Sequence, residues 1–252
     1  TQSITDVGFQ PDLTWIKQRG GATNHVLYDA VRGPYWTMQS NTTNSQTADD
    51  GLTAWNSGGW NMANVSTTNG NGLSYVGWNW LGANGTATNT DGDINSTVSV
   101  NTTSGFSIVK WTGNGGNDQT IGHGLGARPV CWIVKRTDTA ADWYMMHQGI
   151  DSNWYDDYFL VLNSTAAKSG SKNVGTGNPT SSVFYVGSDA ISNASGGTYI
   201  AYVFAEKQGY SKFGSYTGNG NADGTFVYTG FSPAFVLYKD STSVSDWVMK
   251  DN

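Results

Sequence analysis

Most catalytic sites are assembled from imidazoles, thiols and paired carboxylates, and this sequence is short of all three. It holds three histidines, one cysteine and a single glutamate, Glu206, in 252 residues. Nucleophilic hydrolysis needs a Ser or Cys within reach of a His and an orienting acid. No G-x-S-x-G turn occurs, and Cys131 lies inside the apolar run "RPVCWIVK", the setting of a small core residue. Glycoside hydrolysis needs two carboxylates facing each other across a cleft. The neighbours Asp49 and Asp50, and likewise Asp156 and Asp157, would point to opposite faces of a strand. "GNGGND" and "GHGLGA" open no helix and read as hairpin turns, not phosphate loops. The expectation is a protein that is not an enzyme and has no organic cofactor.

Two weaker chemistries remain. "DGDINST" (91–97) sets Asp91, Asp93 and Asn95 at alternating positions, like the start of a calcium loop, but no Glu stands at the twelfth position. The competing reading is a solvated linker. Sugar binding uses exposed aromatic rings that stack on sugar faces, with Asn and Asp bonding the hydroxyls. Trp36 in "GPYWTM", Trp55 and Trp60 in "AWNSGGW", and Trp154 and Tyr155 in "NWYDDY" stand beside Gly, Asn, Tyr or Asp and are the glycan-binding candidates. Trp78, Trp80, Trp111 and Trp132 lie within apolar strand patterns and are expected in the core.

The elements that would hold such residues come in repeats. "GFQPDLTWIKQR", "GLGARPVCWIVKR" and "GFSPAFVLYKD" align on Pro11, Pro129 and Pro233, each followed six residues later by Lys17, Lys135 or Lys239. Eight residues past each lysine stand His25, Trp143 and Trp247; twelve past stand Asp29, His147 and Asp251. "SYVGWNWLG" from Ser74 matches "TYIAYVFAE" from Thr198, so that Val76, Trp78 and Trp80 correspond to Ile200, Tyr202 and Phe204 on one strand face. The turn "TGNG" at 112 and 217 punctuates the strands, Gly and Asn supplying the positive φ that tight turns need. A repeat of this size is a domain, not a solenoid unit. The division is 1–90, a first repeat without its N-terminal strands; 91–210, a second; and 211–252, the start of a third. The polar stretch 81–99 is the expected boundary, and the whole reads as a window on a longer array.

Strands are expected in the second repeat at 106–112, 118–122, 130–136, 143–147, 158–163, 182–187 and 198–206. They are short, rich in Val, Ile, Tyr, Trp and Phe, and bounded by Gly/Asn/Ser/Asp clusters, which predicts an all-β fold of tandem antiparallel sandwiches of jelly-roll type. No amphipathic run long enough for a crossover helix is present. A net charge of −6 and the lack of a basic stripe argue against nucleic acid. No run approaches the apolar length of a membrane helix, and no signal-peptide pattern opens the sequence.

The runs "GFQPDLTWIKQR…LYDAVRG", "IGHGLGARP" and "AYVFAEKQGYSKFGSYTGNG…FVYTGFSPAFVLYK" resemble a domain of unknown function found, often in tandem, in bacteriophage proteins. Its layout is similar to concanavalin-like lectin sandwiches. The resemblance implies a virion-surface, extracellular structural protein (tail fibre, appendage or capsid decoration) that adheres to host surface polysaccharide. It implies other virion proteins and further copies of itself as partners. The alternatives are a purely architectural decoration without ligand and a secreted cellular adhesin.

Overall fold

β-Branched and aromatic residues alternate in short runs between turn formers, and the chain answers with strands almost throughout. The computed structural model describes residues 2–150, 158–171, 173–175 and 177–252. The first repeat contributes β1 (Gln2–Ile4), β2 (Leu13–Gln18), β3 (Val26–Asp29), β4 (Trp36–Gln39), β5 (Thr47–Ala48), β6 (Ala54–Asn56), β7 (Gly59–Met62), a single-turn helix (Ser66–Asn69) and β8 (Tyr75–Trp80). The second contributes β9 (Ala87–Asn89), β10 (Ser96–Asn101), β11 (Phe106–Thr112), β12 (Gln119–Gly122), β13 (Cys131–Arg136), β14 (Trp143–His147), β15 (Tyr158–Val161), β16 (Ser169–Gly170), β17 (Val183–Val186) and β18 (Thr198–Phe204). The third adds β19 (Phe235–Tyr238) and β20 (Val248–Asp251).

The repeat seen in the sequence is a repeat of strand order and of register. The first main sheet runs β5-β4-β3-β2-β8, and the second runs β16-β15-β14-β13-β18 before continuing into β11-β10-β9. Leu13 pairs with Asp29, Cys131 with His147 and Phe235 with Asp251 at the same place in three hairpins. Leu13 pairs with Trp80 as Cys131 pairs with Phe204. A small sheet lies beside each main one: β1-β7-β6 in the first repeat and β12-β17 in the second. There Ile4 faces Trp60 as Ile121 faces Phe184.

Alternation along each strand divides the side chains between two cores. On β13 and β18, Trp132, Val134, Tyr199, Ala201 and Val203 point into a core internal to the second repeat, closed by Ile121, Phe184 and Val186 of the small sheet. The first repeat has its own counterpart around Ile16, Tyr28, Trp60 and Met62. Each of the first two repeats is thus a two-layer sandwich. The opposite faces meet in a third core shared between repeats: Leu13, Trp15, Leu27 and Met38 from the first, Ile108, Cys131, Ile133, Trp143, Ile200 and Tyr202 from the second, with Leu237, Trp247 and Met249 of the third packed against them. Burial on both faces explains why β13 and β18 read as nearly continuous apolar runs.

The stretch 81–99 is not a bare linker. β9 and part of β10 fall within it and extend the second main sheet through pairing with β11. Their Thr, Ser and Asn residues hide an edge strand from a hydrophobicity count. The buried Asp12 carboxylate clamps the crossing between repeats: it accepts from the Gly82 and Asn84 amides at 2.8 and 3.2 Å and from Ser99 Oγ at 3.1 Å. All-β tandem sandwiches, as the sequence predicts, describe the fold.

Candidate functional site

The repeat lysines act within their own hairpins. Lys17 Nζ donates to the carbonyls of Gln18 and Gly21 at 2.8 and 2.7 Å, and Lys239 Nζ to those of Asp240 and Ser243 at 2.6 and 3.2 Å. Lys135 Nζ bonds the Ala141 carbonyl at 2.7 Å and also crosses to the Thr43 carbonyl of the first repeat at 3.1 Å. Each ammonium ties its hairpin bend closed by donating to carbonyls of the turn. Burial lowers Lys135 to about 8.

The junction between repeats is built the same way twice. Trp143 Nε1 donates to the Gln39 carbonyl at 2.9 Å, and Trp247 Nε1 to the Val161 carbonyl at 3.0 Å; Gln39 and Val161 both end the strand next to the sheet edge. The Ala141 amide reaches the Thr43 carbonyl at 2.8 Å, and the Ser245 amide the Thr165 carbonyl at 3.0 Å. The Gln46 amide reaches the Thr137 carbonyl at 3.0 Å, and the Lys168 amide the Ser241 carbonyl at 2.9 Å. These are corresponding residues in every case. Pairing of the two indoles is not a default, because the buried N–H groups of Trp15, Trp60, Trp78 and Trp111 have no hydrogen-bond acceptor. The third repeat also meets the first: Phe235 packs on Trp78 and Trp80 at ring distances of 5.6 and 5.9 Å, and Arg19 pairs with Asp251 at 3.0 Å. The three repeats therefore close around one core.

A buried polar cluster reinforces the first junction. Asp29 accepts from Arg32 Nε at 2.5 Å, from the Arg32 amide at 2.9 Å and from Tyr202 Oη of the second repeat at 2.9 Å. Neither charged side chain exceeds 2% exposure. Burial opposes the guanidinium charge, and Asp29 and Tyr202 together more than offset it. The remaining Arg32 donors reach the Trp36 and Leu27 carbonyls at 3.0 and 3.2 Å.

That arginine positions an exposed aromatic corner. Tyr35 and Trp36 are 44% and 39% exposed, and Tyr35 holds a left-handed φ of 70°. A non-glycine residue pays about 1–3 kcal/mol for such a conformation, which persists only where surrounding bonds fix it. Here the Tyr35 amide donates to the Leu52 carbonyl and its carbonyl accepts from the Asp49 amide, at 2.9 and 2.8 Å. Beyond Trp36 lies a shallow groove of about 250 Å³, lined by Thr37, Gln39, Asn44, Ser45, Thr47 and, from the second repeat, Ala140. The hydroxyls and amides of this groove can bond a polyol, and an exposed indole such as that of Trp36, which does not itself line the groove, can stack on a sugar's apolar face.

The other residues singled out from the sequence are placed differently. Trp55 and Trp60 are a cross-strand pair on the β6–β7 hairpin, on a different sheet from Trp36. Trp60 is 5% exposed, packed in the first-repeat core beneath Gly77, and presents no ring face to solvent. Trp55 is half-buried against the same core. Trp154 and Tyr155 lie outside the described residues. Asp93 is engaged by Thr120, whose amide and hydroxyl donate to its carboxylate at 3.0 and 2.7 Å; Asp91 accepts from Asn89 at 3.2 Å. These bonds, with the Ile94–Ile121 bridge beside Asn95, make the 91–95 loop a clip onto β12. No group of three or more His, Cys, Asp or Glu that could hold a metal occurs among the described residues. The histidines also serve locally: His123 Nδ1 accepts from the Leu125 amide and His147 Nδ1 from the Gly149 amide. Tyr35 and the Asp29–Arg32–Tyr202 cluster went unnoticed in the sequence, although Asp29 carried a signal in its repeat position twelve past the lysine.

Internal repeats, shared core and twice-built junction define an all-β repeat protein. The family whose model matches it is described as "Domain of unknown function (DUF7483)"; the match spans residues 1–252, and the chain belongs to that family. No curated protein and no solved structure matches it.

Proposed function

We propose that this chain is a non-enzymatic structural component of an extracellular particle surface, with a phage tail fibre, appendage or decoration as the setting that the sequence resemblance implies. The observation that carries the reading is the repeated junction. Three hydrogen bonds between corresponding backbone and indole groups recur at both steps of the array. A unit that joins its neighbour by the same bonds each time is a building block, and the shared core makes the assembly stiff. Low charge and a turn-rich surface suit an exposed, long-lived part. Antibody against the purified chain, used in immunogold electron microscopy of candidate particles, tests this. Surface labelling at regular sites supports it; label confined to unassembled soluble protein contradicts it.

A second reading, adhesion to host surface polysaccharide, is favoured by the Tyr35–Trp36 corner. On this reading Trp36 stacks on a sugar ring, and the polar groove beside it bonds the hydroxyls. Repeated weak sites on one particle would gain from avidity. Glycan-array binding that is saturable and lost in Trp36→Ala, with the fold intact, supports adhesion. Full retention of binding in that variant excludes this corner.

A further inference from the structure

Ile4, Ile121 and Phe226 hold the same place in the three repeats, each in the run that leads to the repeat proline. Ile4 pairs with Trp60 of β7 and packs against the first-repeat core. Ile121 pairs with Phe184 of β17 and is fully buried. Phe226 is 84% exposed, with Tyr228 at 76% beside it. A shallow apolar groove of about 460 Å³ runs along Phe226, Tyr228, Phe231 and Pro233. Among the described residues no strand pairs with 224–228, and residues 229–252 hold no third counterpart of the Gly59–Met62 or Val183–Val186 runs. The β19–β20 hairpin is open at both edges, whereas β2 and β13 are flanked by β8 and β18, and β3 and β14 by β4 and β15.

We infer that this open face of the third repeat is a docking surface for a further stretch of the same repeat type. A strand of the Val183–Val186 kind (Val-Phe-Tyr-Val) would add antiparallel to residues 224–227, covering Phe226 as Phe184 covers Ile121. Strands of the Thr198–Phe204 and Tyr158–Val161 kinds would extend β19 and β20. Continuity with the first two repeats names the occupant, since the same three ladder positions are filled there. The inference rests on the internal repeat and is independent of the function proposed above.

The test is an extended chain in which residues 149–206 follow Asn252, because Gln148 corresponds to Asn252. Hydrogen exchange at the amides of residues 225–228 is compared between this chain and the 252-residue chain. The expected result is slowing by about 100-fold or more in the extended chain. Phe226→Asp should then lower the Tm of the extended chain and leave that of the 252-residue chain unchanged. Free exchange of both 225–228 and the added segment overturns the inference. So does slow exchange in the unextended chain that rises with protein concentration alongside dimer formation, which would make a second copy the occupant.

Discussion

The junction between the first and second repeats and the junction between the second and third share three hydrogen bonds and differ in the side-chain bonds added to them. Both use an indole N–H and two backbone amides aimed at backbone carbonyls. Only the first adds the Lys135 bond to Thr43 and the buried Asp29–Arg32–Tyr202 cluster. At the places of Asp29 and Arg32 the second repeat has His147 and Ile150, and among the described residues no such cluster forms there. The contrast separates two jobs. Backbone-directed bonds set the geometry of the step and survive wide changes in side chains. Side-chain clusters then adjust how firmly a given step is held.

The largest effect should come from breaking what only the first junction has. Asp29→Ala leaves the Arg32 guanidinium buried and uncompensated, and should cost about 3–5 kcal/mol in urea unfolding. Arg19→Ala, which removes the half-exposed ion pair to Asp251, should cost below about 1 kcal/mol. Comparable losses in the two variants would refute the assignment of the cluster as the stronger lock.

Next come the shared bonds. Trp143→Phe keeps most of the apolar ring and removes the indole donor from the half-buried Gln39 carbonyl, for an expected loss of about 1–3 kcal/mol. Trp247→Phe, at the corresponding but less buried position, should lose about 0.5–1.5 kcal/mol. An order reversed in chemical denaturation would break the comparison.

Acid should act on both of the first two repeats at once, through their buried imidazoles. Burial lowers His25, His123 and His147 to about 4, from an ordinary 6.5. Unfolding lets these imidazoles take up protons that the fold refuses, so stability should fall as pH drops from about 6.5 towards 4. The opposite sign appears at the alkaline end. Lys135, lowered to about 8 by burial, binds its proton more weakly folded than unfolded, so this group alone should raise stability as pH climbs from about 8 to 10.5. Lys135→Met should remove that upward contribution, as Tm against pH would record.

Much of this was legible in the sequence. The Pro-to-Lys spacing placed three hairpins, and the strands expected at 106–112 and 143–147 match β11 and β14 end to end. Correspondence of Trp78 and Trp80 with Tyr202 and Phe204 put them on the same face, which is the shared core. The shared core itself was not legible. Period-two alternation tells which residues share a face, but it cannot tell whether the second face meets solvent or another repeat when both are apolar. Trp36 and Trp60 show the same limit at single residues. Both sit near glycines in turn-rich sequence, and only long-range pairing exposes one and buries the other. Asp29, Arg32 and Tyr202 meet only after two repeats have packed, so no local motif could announce them.

The central claim is that one junction is built twice, and amide hydrogen exchange by NMR tests it most directly. The matched bonds of the two junctions use four amides: Gln46 and Ala141 at the first step, Lys168 and Ser245 at the second. The account predicts protection at all four, with the second pair weaker than the first but well above that of exposed loop amides. Free exchange at Lys168 and Ser245 beside protected Gln46 and Ala141 would contradict it, leaving one junction and a loosely attached hairpin.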